Sequence, residues 1–435
     1  MHKPLTIFVP HCSDLLTDHL PHGDGLIAHG FISNLARRGH RLHVAAQRVA
    51  LRSRLHSNIT LHEIPVTASG PLVGRLEYML RVRRLLNKLK KDCRFDLIHQ
   101  LNPVFTGTSL AMIGSGLPLV LGTYVARWPD DPDSLVARSK WTRGVLSLGR
   151  TLISAAQQRQ ADVLLLTTPA ASNRLPQPGD VRDRIQFLPH GLDTEFFSPG
   201  PGWDSDENLR ADQLRPSILF FANVSPRKGI WTLVDAFPEV VRSVPNVVLR
   251  IAGDGGILPD VKRRVAALDC ARQVEFLGRQ ERSQAPRLYR SASIYCLPSY
   301  GEPYATTVLE AMSCAKPIIV TDAGGLSHMV HDRGGKKVPV GDAASLAVAL
   351  RDLLLNPSLR CSMGRYNRRL AETTMTWEAV TQRLEEIYRV TIEKNRSPRR
   401  QHNPHNENPP ASRAPQVRVQ EGMSLSSVAG PKELT

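Results

Sequence analysis

Two carboxylates and two cations carry the chemistry this sequence suggests. Glu302 stands in a turn that follows the apolar run Ile294-Tyr295-Cys296-Leu297 and the bend Pro298-Ser299-Tyr300-Gly301. Glu310 comes eight residues further on, inside a helix that the pattern opens near Ala305 and runs toward Pro317. At about 1.5 Å of rise per helical residue, Glu310 sits roughly one and a half turns below that opening. The first turn, at Ala305, Thr306 and Thr307, presents unpaired backbone N–H groups and the positive end of the helix dipole, a ready site for phosphate. One acid is thereby placed at each end of a group whose middle is a diphosphate. A nucleotide-sugar has that shape. The plainer alternative is an ordinary strand–loop–helix unit with both acids solvated.

Ser225-Pro226-Arg227-Lys228-Gly229 supplies positive charge in a comparable context, after a strand and before a helix starting near Thr232. Alone it is as readily a solvated basic turn. With Glu302, the helix opening and Glu310, it becomes a second element that neutralises a diphosphate. The loop Gly23-x-Gly25 after the first strand would let backbone approach phosphate or substrate closely, but it lacks the full dinucleotide fingerprint. A tight turn without a ligand is an equal alternative there. The pairs Asp131-x-Asp133 and Asp204-x-Asp206 follow no apolar strand, and His19-x2-His22 and His40-x2-His43 lack a third ligand at metal spacing. No metal site is expected.

The elements that position these groups follow from composition and pattern. The chain has 435 residues, 41% hydrophobic and 22% charged, enough for two domains with sizeable cores. Its six cysteines form no C-x-x-C pair, which argues against a disulfide framework or structural zinc and for a reducing cytosol. No apolar run approaches the ~20 residues that cross a bilayer. Leu5-Thr6-Ile7-Phe8-Val9-Pro10 is too short for a signal-peptide core and reads as a first buried strand. The net charge of +16 attracts anions of any kind, whether nucleotides, nucleic acid or acidic lipids. An aromatic content of 6% and the lack of a recognition motif argue against nucleic acid.

Short apolar runs alternate with helical patterns through both halves, which predicts parallel, doubly wound sheets. Runs at Ile7, Arg41–Ala46, Phe95–His99, Leu119, Val163 and Ile185 make the first, with a helix over Ala28–Arg38. Runs at Ile218, Val247–Ala252, Val274–Gly278, Ile294 and Pro317–Thr321 make the second, with a helix over Thr232–Val241. The expected division is an N-terminal Rossmann-like domain over 1–198, a linker over 199–216 and a second Rossmann-like domain over 217–376. A helix over 377–395 returns toward the N-terminal domain, and 396–435, polar and without periodicity, is expected to be disordered.

These motifs together resemble the retaining GT-B glycosyltransferases of glycosyltransferase family 4. Val224–Gly229, Ile251–Gly255, Val274–Gly278, Leu297-Pro298-Ser299 and Glu302-x7-Glu310-Ala311-Met312 carry the resemblance in the second half, extended by Gly324-Gly325, Val340-Gly341-Asp342 and Thr376-Trp377. His22–Gly25, Arg38-Gly39-His40, Asp96–His99 and Pro189–Asp193 carry it in the first, so that it covers roughly residues 5–393. The resemblance implies two Rossmann-like domains facing a cleft, with the acceptor bound by the first and the nucleotide-sugar by the second. It implies that Lys228 and Arg227 bind the donor diphosphate, that Glu302 acts at the transferred sugar and that Glu310 holds the ribose. The backbone amides of Tyr304, Ala305 and Thr306 would hold phosphate or sugar oxygens, and Asn223 and Gly253 would line the donor side. Residues Leu277–Arg279 would lie near a uridine, guanosine or adenosine base. No cofactor is implied, because the nucleotide-sugar is a substrate.

Where the family usually has Gly-Arg after the first strand of the second domain, this chain has Ala222-Asn223, which removes a charge-assisted hold worth ~1.5–3 kcal/mol. Ala305 and Ala315 replace family glycines. The family's histidine in the Leu121–Val125 segment is missing, leaving Tyr124 or Arg127 to face the sugar beside the Gly23 and Gly25 loop.

The expected activity is retaining transfer of a sugar to a glycan or lipid-linked acceptor, in cell-surface polysaccharide or glycolipid synthesis. The alternative is a catalytically impaired relative that binds a glycan or nucleotide on the same scaffold. In residues 75–91, Leu76, Met79, Leu80 and Leu86 are expected to form an apolar stripe with arginines and lysines on the other face, a pattern that fits a helix lying on an anionic membrane or one with a solvated basic face. Trp141–Ile153 is a second such candidate. The expected location is cytoplasmic, at the inner face of the plasma membrane.

Overall fold

The computed structural model describes residues 3–20, 22–101, 107–124, 151–175, 179–205 and 214–396. Runs such as Val163-Leu164-Leu165-Leu166 and Ile318-Ile319-Val320 have no polar alternation, and the sheets they enter are covered on both faces. The strands of the first sheet are β1 (Thr6–Val9), β2 (Arg41–Ala46), β3 (Ile59–Glu63), β4 (Leu97–Gln100), β5 (Leu119–Tyr124), β6 (Val163–Leu166) and β7 (Ile185–Phe187). They pair in parallel in the order β3-β2-β1-β4-β5-β6-β7. The second sheet is built from β8 (Ser217–Phe221), β9 (Val248–Ala252), β10 (Val274–Gly278), β11 (Ile294–Leu297), β12 (Ile318–Thr321) and β13 (Gly335–Val338). Its order, again all parallel, is β10-β9-β8-β11-β12-β13.

The strand order reverses direction between β8 and β11. Ligands of such sheets bind beyond the carboxyl ends of the strands at that reversal. The loop after β8 contains Arg227 and Lys228, and the loop after β11 contains Glu302. Topology alone therefore brings the two halves of the expected site to one crevice.

Helices among the described residues include α1 (Gly23–Arg37), α2 (Pro71–Leu89), α3 (Ile230–Ser243), α4 (Leu258–Ala266), α5 (Ala285–Arg290), α6 (Thr306–Ser313), α7 (Ala343–Leu354), α8 (Pro357–Thr374) and α9 (Trp377–Arg396). Val380, Leu384, Ile387, Tyr388 and Ile392 of α9 join one core with Phe31, Ile32 and Leu35 of α1. The last helix among the described residues thus lies on the first domain. Arg38 forks onto Glu385 at 2.6 and 2.9 Å, and His40 Nε2 lies 2.9 Å from the same carboxylate. The Trp377 ring occupies the space left by two glycines: a Cβ on Gly30 or Gly191 would lie 2.0 or 2.4 Å from it. Beside it, Leu192 N–H donates to the Met375 carbonyl at 2.7 Å, so the chain's two passages between the domains run side by side.

Four expectations need correction. Gly23 and Gly25 are not in a loop. They form the first turn of α1, which starts five residues earlier than Ala28, with His22 Nδ1 accepting from Gly25 N–H at 3.1 Å. Gly25 is small because a Cβ would meet the Leu15 carbonyl at 2.1 Å. The helix after Glu302 stops at Ser313 rather than reaching Pro317, because Ala315 takes a left-handed φ of 56°. The apolar residues of 75–91 do not form one stripe: Leu86 faces inward with Tyr78 and Val82, whereas Leu76 and Leu80 point to solvent. Arg396 belongs to α9 rather than to the tail. The expected tail beyond it, Asp131, Asp133, Asp206, Arg127 and most of the Trp141–Ile153 candidate lie outside the described residues.

Candidate functional site

The basic turn and the acidic turn are built against each other by backbone. Tyr300 N–H donates to the Arg227 carbonyl at 2.8 Å, and Gly229, at φ 74°, lies so close to Pro298 that a Cβ would come within 1.7 Å of its carbonyl oxygen. Glycine is required there for both conformation and space. The side chains then converge. Lys228 Nζ lies 2.6 Å and Arg227 Nη1 2.9 Å from Glu302 Oε1. Ser299 Oγ, fully buried, is 2.9 Å from that oxygen and 2.9 Å from the Arg227 carbonyl. Glu302 itself is 4% exposed. A carboxylate so buried needs this counter-charge, since desolvation otherwise costs several kcal/mol.

The Glu302 loop is also held from both domains. Gly325 N–H donates to the Glu302 carbonyl at 2.6 Å. From the first domain, Thr168 Oγ1 donates to the Pro303 carbonyl at 3.2 Å, and the His190 ring meets the Tyr304 ring edge-on at 4.8 Å between centroids. Burial pushes the His190 imidazole down to about 3, so it packs as a neutral ring.

Glu310 lies in the second turn of α6, also buried. Tyr289 Oη–H of α5 donates to its Oε2 at 2.8 Å, and Arg282 Nη1 lies 3.3 Å from Oε1. Burial raises the Glu310 carboxyl above the usual range, and Arg282 and Tyr289 pull it back. Two buried acids therefore flank the opening of α6, one tied to the cations after β8, the other to Arg282 beyond β10.

The remaining expected residues are placed less uniformly. Thr306 is the first residue of α6 and Ala305 its cap, but Ala305 N–H points to Met329 Sδ at 3.4 Å. A thioether is a weak acceptor. Gly253, at φ 141°, and Asn223 sit on adjoining loops, where a Cβ on Gly253 would lie 1.9 Å from the Ala222 carbonyl. That close approach of two backbones is reason enough for glycine. Tyr124 ends β5, opposite Leu166 of β6, and its side chain is outside the described residues. Ser299, Arg282 and Tyr289 escaped the sequence reading as site residues. Ser299 is three positions before Glu302, a spacing that could have flagged it; nothing local marks Arg282 or Tyr289.

Comparison with known proteins identifies the family. The description Glycosyltransferase Family 4 matches residues 25–196, and Glycosyl transferases group 1 matches residues 203–370. A GDP-mannose-dependent monoacylated alpha-(1-6)-phosphatidylinositol monomannoside mannosyltransferase of Corynebacterium glutamicum is 28% identical over 238 residues, 52% of this chain and 62% of that protein. The chain thus spans about three fifths of that relative's length. A phosphatidyl-myo-inositol mannosyltransferase of Mycobacterium leprae is 27% identical over 337 residues, 75% of this chain and 81% of that protein. Among solved structures, Anabaena HepE in complex with UDP and glucose superposes with a TM-score of 0.67 at 18% identity, covering 88% of this chain and 99% of that one. Sucrose-phosphate synthase from Thermosynechococcus elongatus gives 0.69 at 20% identity, covering 90% and 100%. At these identities the structures speak for the fold, which is GT-B. With its two halves matched in order and its two sheets in that arrangement, the chain belongs to the glycosyltransferases of family 4, the glycosyl transferases group 1.

Proposed function

We propose that this chain is a retaining hexosyltransferase that moves a sugar from a nucleoside-diphosphate sugar, GDP-mannose foremost, to a lipid-linked acceptor of the phosphatidylinositol type. The observation that carries this reading is the convergence of Arg227, Lys228 and Ser299 on Glu302, with Glu310 at the far end of the α6 opening. The choice of mannose and of a phosphoinositide rests on the names of the relatives. In this reading Lys228 and Arg227 take the donor diphosphate, and Glu302 faces the positive charge that builds at the anomeric carbon. Glu310 accepts from the ribose. Cations and a helix opening on the leaving group, with a carboxylate beside the oxocarbenium-like carbon, stabilise separated charge without a protein nucleophile. The acceptor hydroxyl attacks on the face the diphosphate leaves, and the departing phosphate oxygen takes its proton. The first turn of α1, with Gly23 and Gly25, and the end of β5 at Tyr124 line the acceptor side.

The test is incubation with labelled GDP-, UDP- and ADP-sugars, with and without phosphatidylinositol. Transfer of mannose to the lipid is the expected result. Release of sugar into water alone would mark a hydrolase, binding without release would mark the impaired relative, and no binding of any donor would overturn the reading.

We further propose that the enzyme works at an anionic membrane face, with α2 against the lipid. Val73, Leu76 and Leu80 are 59%, 55% and 51% exposed and follow i, i+3, i+7 spacing, with the exposed Arg84 beside them. Among the described residues no helix is long and apolar enough to cross the bilayer. Co-sedimentation with phosphatidylglycerol vesicles is expected and should fall about five-fold or more in the Leu76→Glu, Leu80→Glu double variant. Equal binding to neutral phosphatidylcholine vesicles would remove the proposal.

A further inference from the structure

We propose that Arg282 is a positioning residue for the nucleoside half of the donor: it holds Glu310 as an open acceptor for the paired ribose hydroxyls and so sets the preference for a ribonucleotide. The inference rests on the reading of this cleft as a donor site.

The guanidinium of Arg282 is fixed on two sides. One face lies over the Phe197 ring at 5.1 Å and near the Phe196 ring at 5.9 Å. One edge meets Glu310 Oε1 at 3.3 Å. Phe197 is fully buried and packs in turn on Tyr289, whose hydroxyl donates to Glu310 Oε2. An aromatic wall, a cation and a phenol thus hold one carboxylate, each ordered by the next. The arrangement sits just past the end of β10, at the opposite end of the α6 opening from Lys228 and Glu302.

An ionised carboxylate has about four acceptor positions. Tyr289 uses one and Arg282 another, which leaves one on each oxygen. Two neighbouring hydroxyls are the complementary donor set, and on a nucleoside diphosphate only the ribose 2′ and 3′ positions offer them side by side. Without Arg282, a carboxyl this buried is pushed toward its protonated form. One acceptor oxygen then becomes a donor, mismatched to a hydroxyl that must donate.

The experiment is isothermal titration of GDP, UDP and ADP, and of the 2′,3′-dideoxy form of whichever binds, to the full chain and to its Arg282→Gln and Arg282→Lys variants. The wild type should prefer the ribonucleotide by about 150-fold or more, as expected for two lost hydrogen bonds to a charged group. Arg282→Gln should bind the ribonucleotide about 10-fold more weakly and the dideoxy form within about two-fold of wild type, with Arg282→Lys recovering part of the loss. The dideoxy titration is an internal control, because a misfolded variant would lose both ligands. Equal loss for the two ligands in a variant whose circular dichroism and melting temperature match the parent, or no loss for either, overturns the inference while leaving the donor site in place. A wild type that binds no nucleoside diphosphate overturns the donor reading itself, and this inference with it.

Discussion

The Glu302→Gln variant is expected to lose about 10²–10³-fold in turnover, yet to bind nucleoside diphosphate as tightly as the parent or a few-fold more tightly. The reason is the pairing of both cations with Glu302. Lys228 and Arg227 both rest on Glu302 Oε1, so in their proposed role a donor diphosphate would draw them from one anion to another. A neutral amide at position 302 weakens that competition and leaves the cations readier for phosphate. The transition state fares differently. Positive charge at the anomeric carbon is stabilised by a preorganised carboxylate in a water-poor site, and an amide cannot supply it. Stability should change modestly, because the Arg227 and Lys228 side chains keep 24% and 17% exposure and remain in touch with water. Steady-state kinetics and nucleotide titration together check this. A rise in KM with kcat unchanged would instead assign Glu302 to ground-state binding.

Lys228→Ala is expected to raise the donor KM about 10–100-fold, the equivalent of a charge-assisted hydrogen bond of ~1.5–3 kcal/mol. Turnover should fall as well, since charge grows on the leaving diphosphate as the bond breaks. Arg227 remains, so activity is weakened and not abolished. Lys228→Arg should rescue only in part: a planar fork does not replace a compact ammonium in a turn clamped between Gly229 and Pro298. The comparison of KM with UDP- and GDP-sugars across the two variants is decisive. A donor KM within two-fold of the parent would send the diphosphate elsewhere.

Much of the architecture was legible because it is local. Apolar runs such as Leu164-Leu165-Leu166 and Ile318-Ile319-Val320 announce strands buried on both faces, and their alternation with helices implies parallel order. The acid pair was legible because one helix holds the opening and Glu310 at a fixed rise. Elements with less distinctive patterns were missed, among them the edge strands β3 and β13 and the helices α7 and α8. The edge strand Ile59–Glu63 buries only its first residue, so its sequence bears little trace of a core.

By itself, then, the sequence determined that two doubly wound domains form and that an acid–helix–acid unit ends a strand of the second. Tertiary structure decided which charges meet. Glu302 and Lys228 are separated by 74 positions and touch at 2.6 Å only because β8 and β11 are neighbours where the strand order reverses. Arg282 and Tyr289 reach Glu310 the same way, from outside its own helix. Only tertiary structure could show Gly25 packed under Leu15, or Leu76 and Leu80 left facing outward on α2. Backbone preference and apolar period act within a few residues and are written in the chain. Ion pairing, desolvation and close backbone approach act between segments that only the packed sheets bring together.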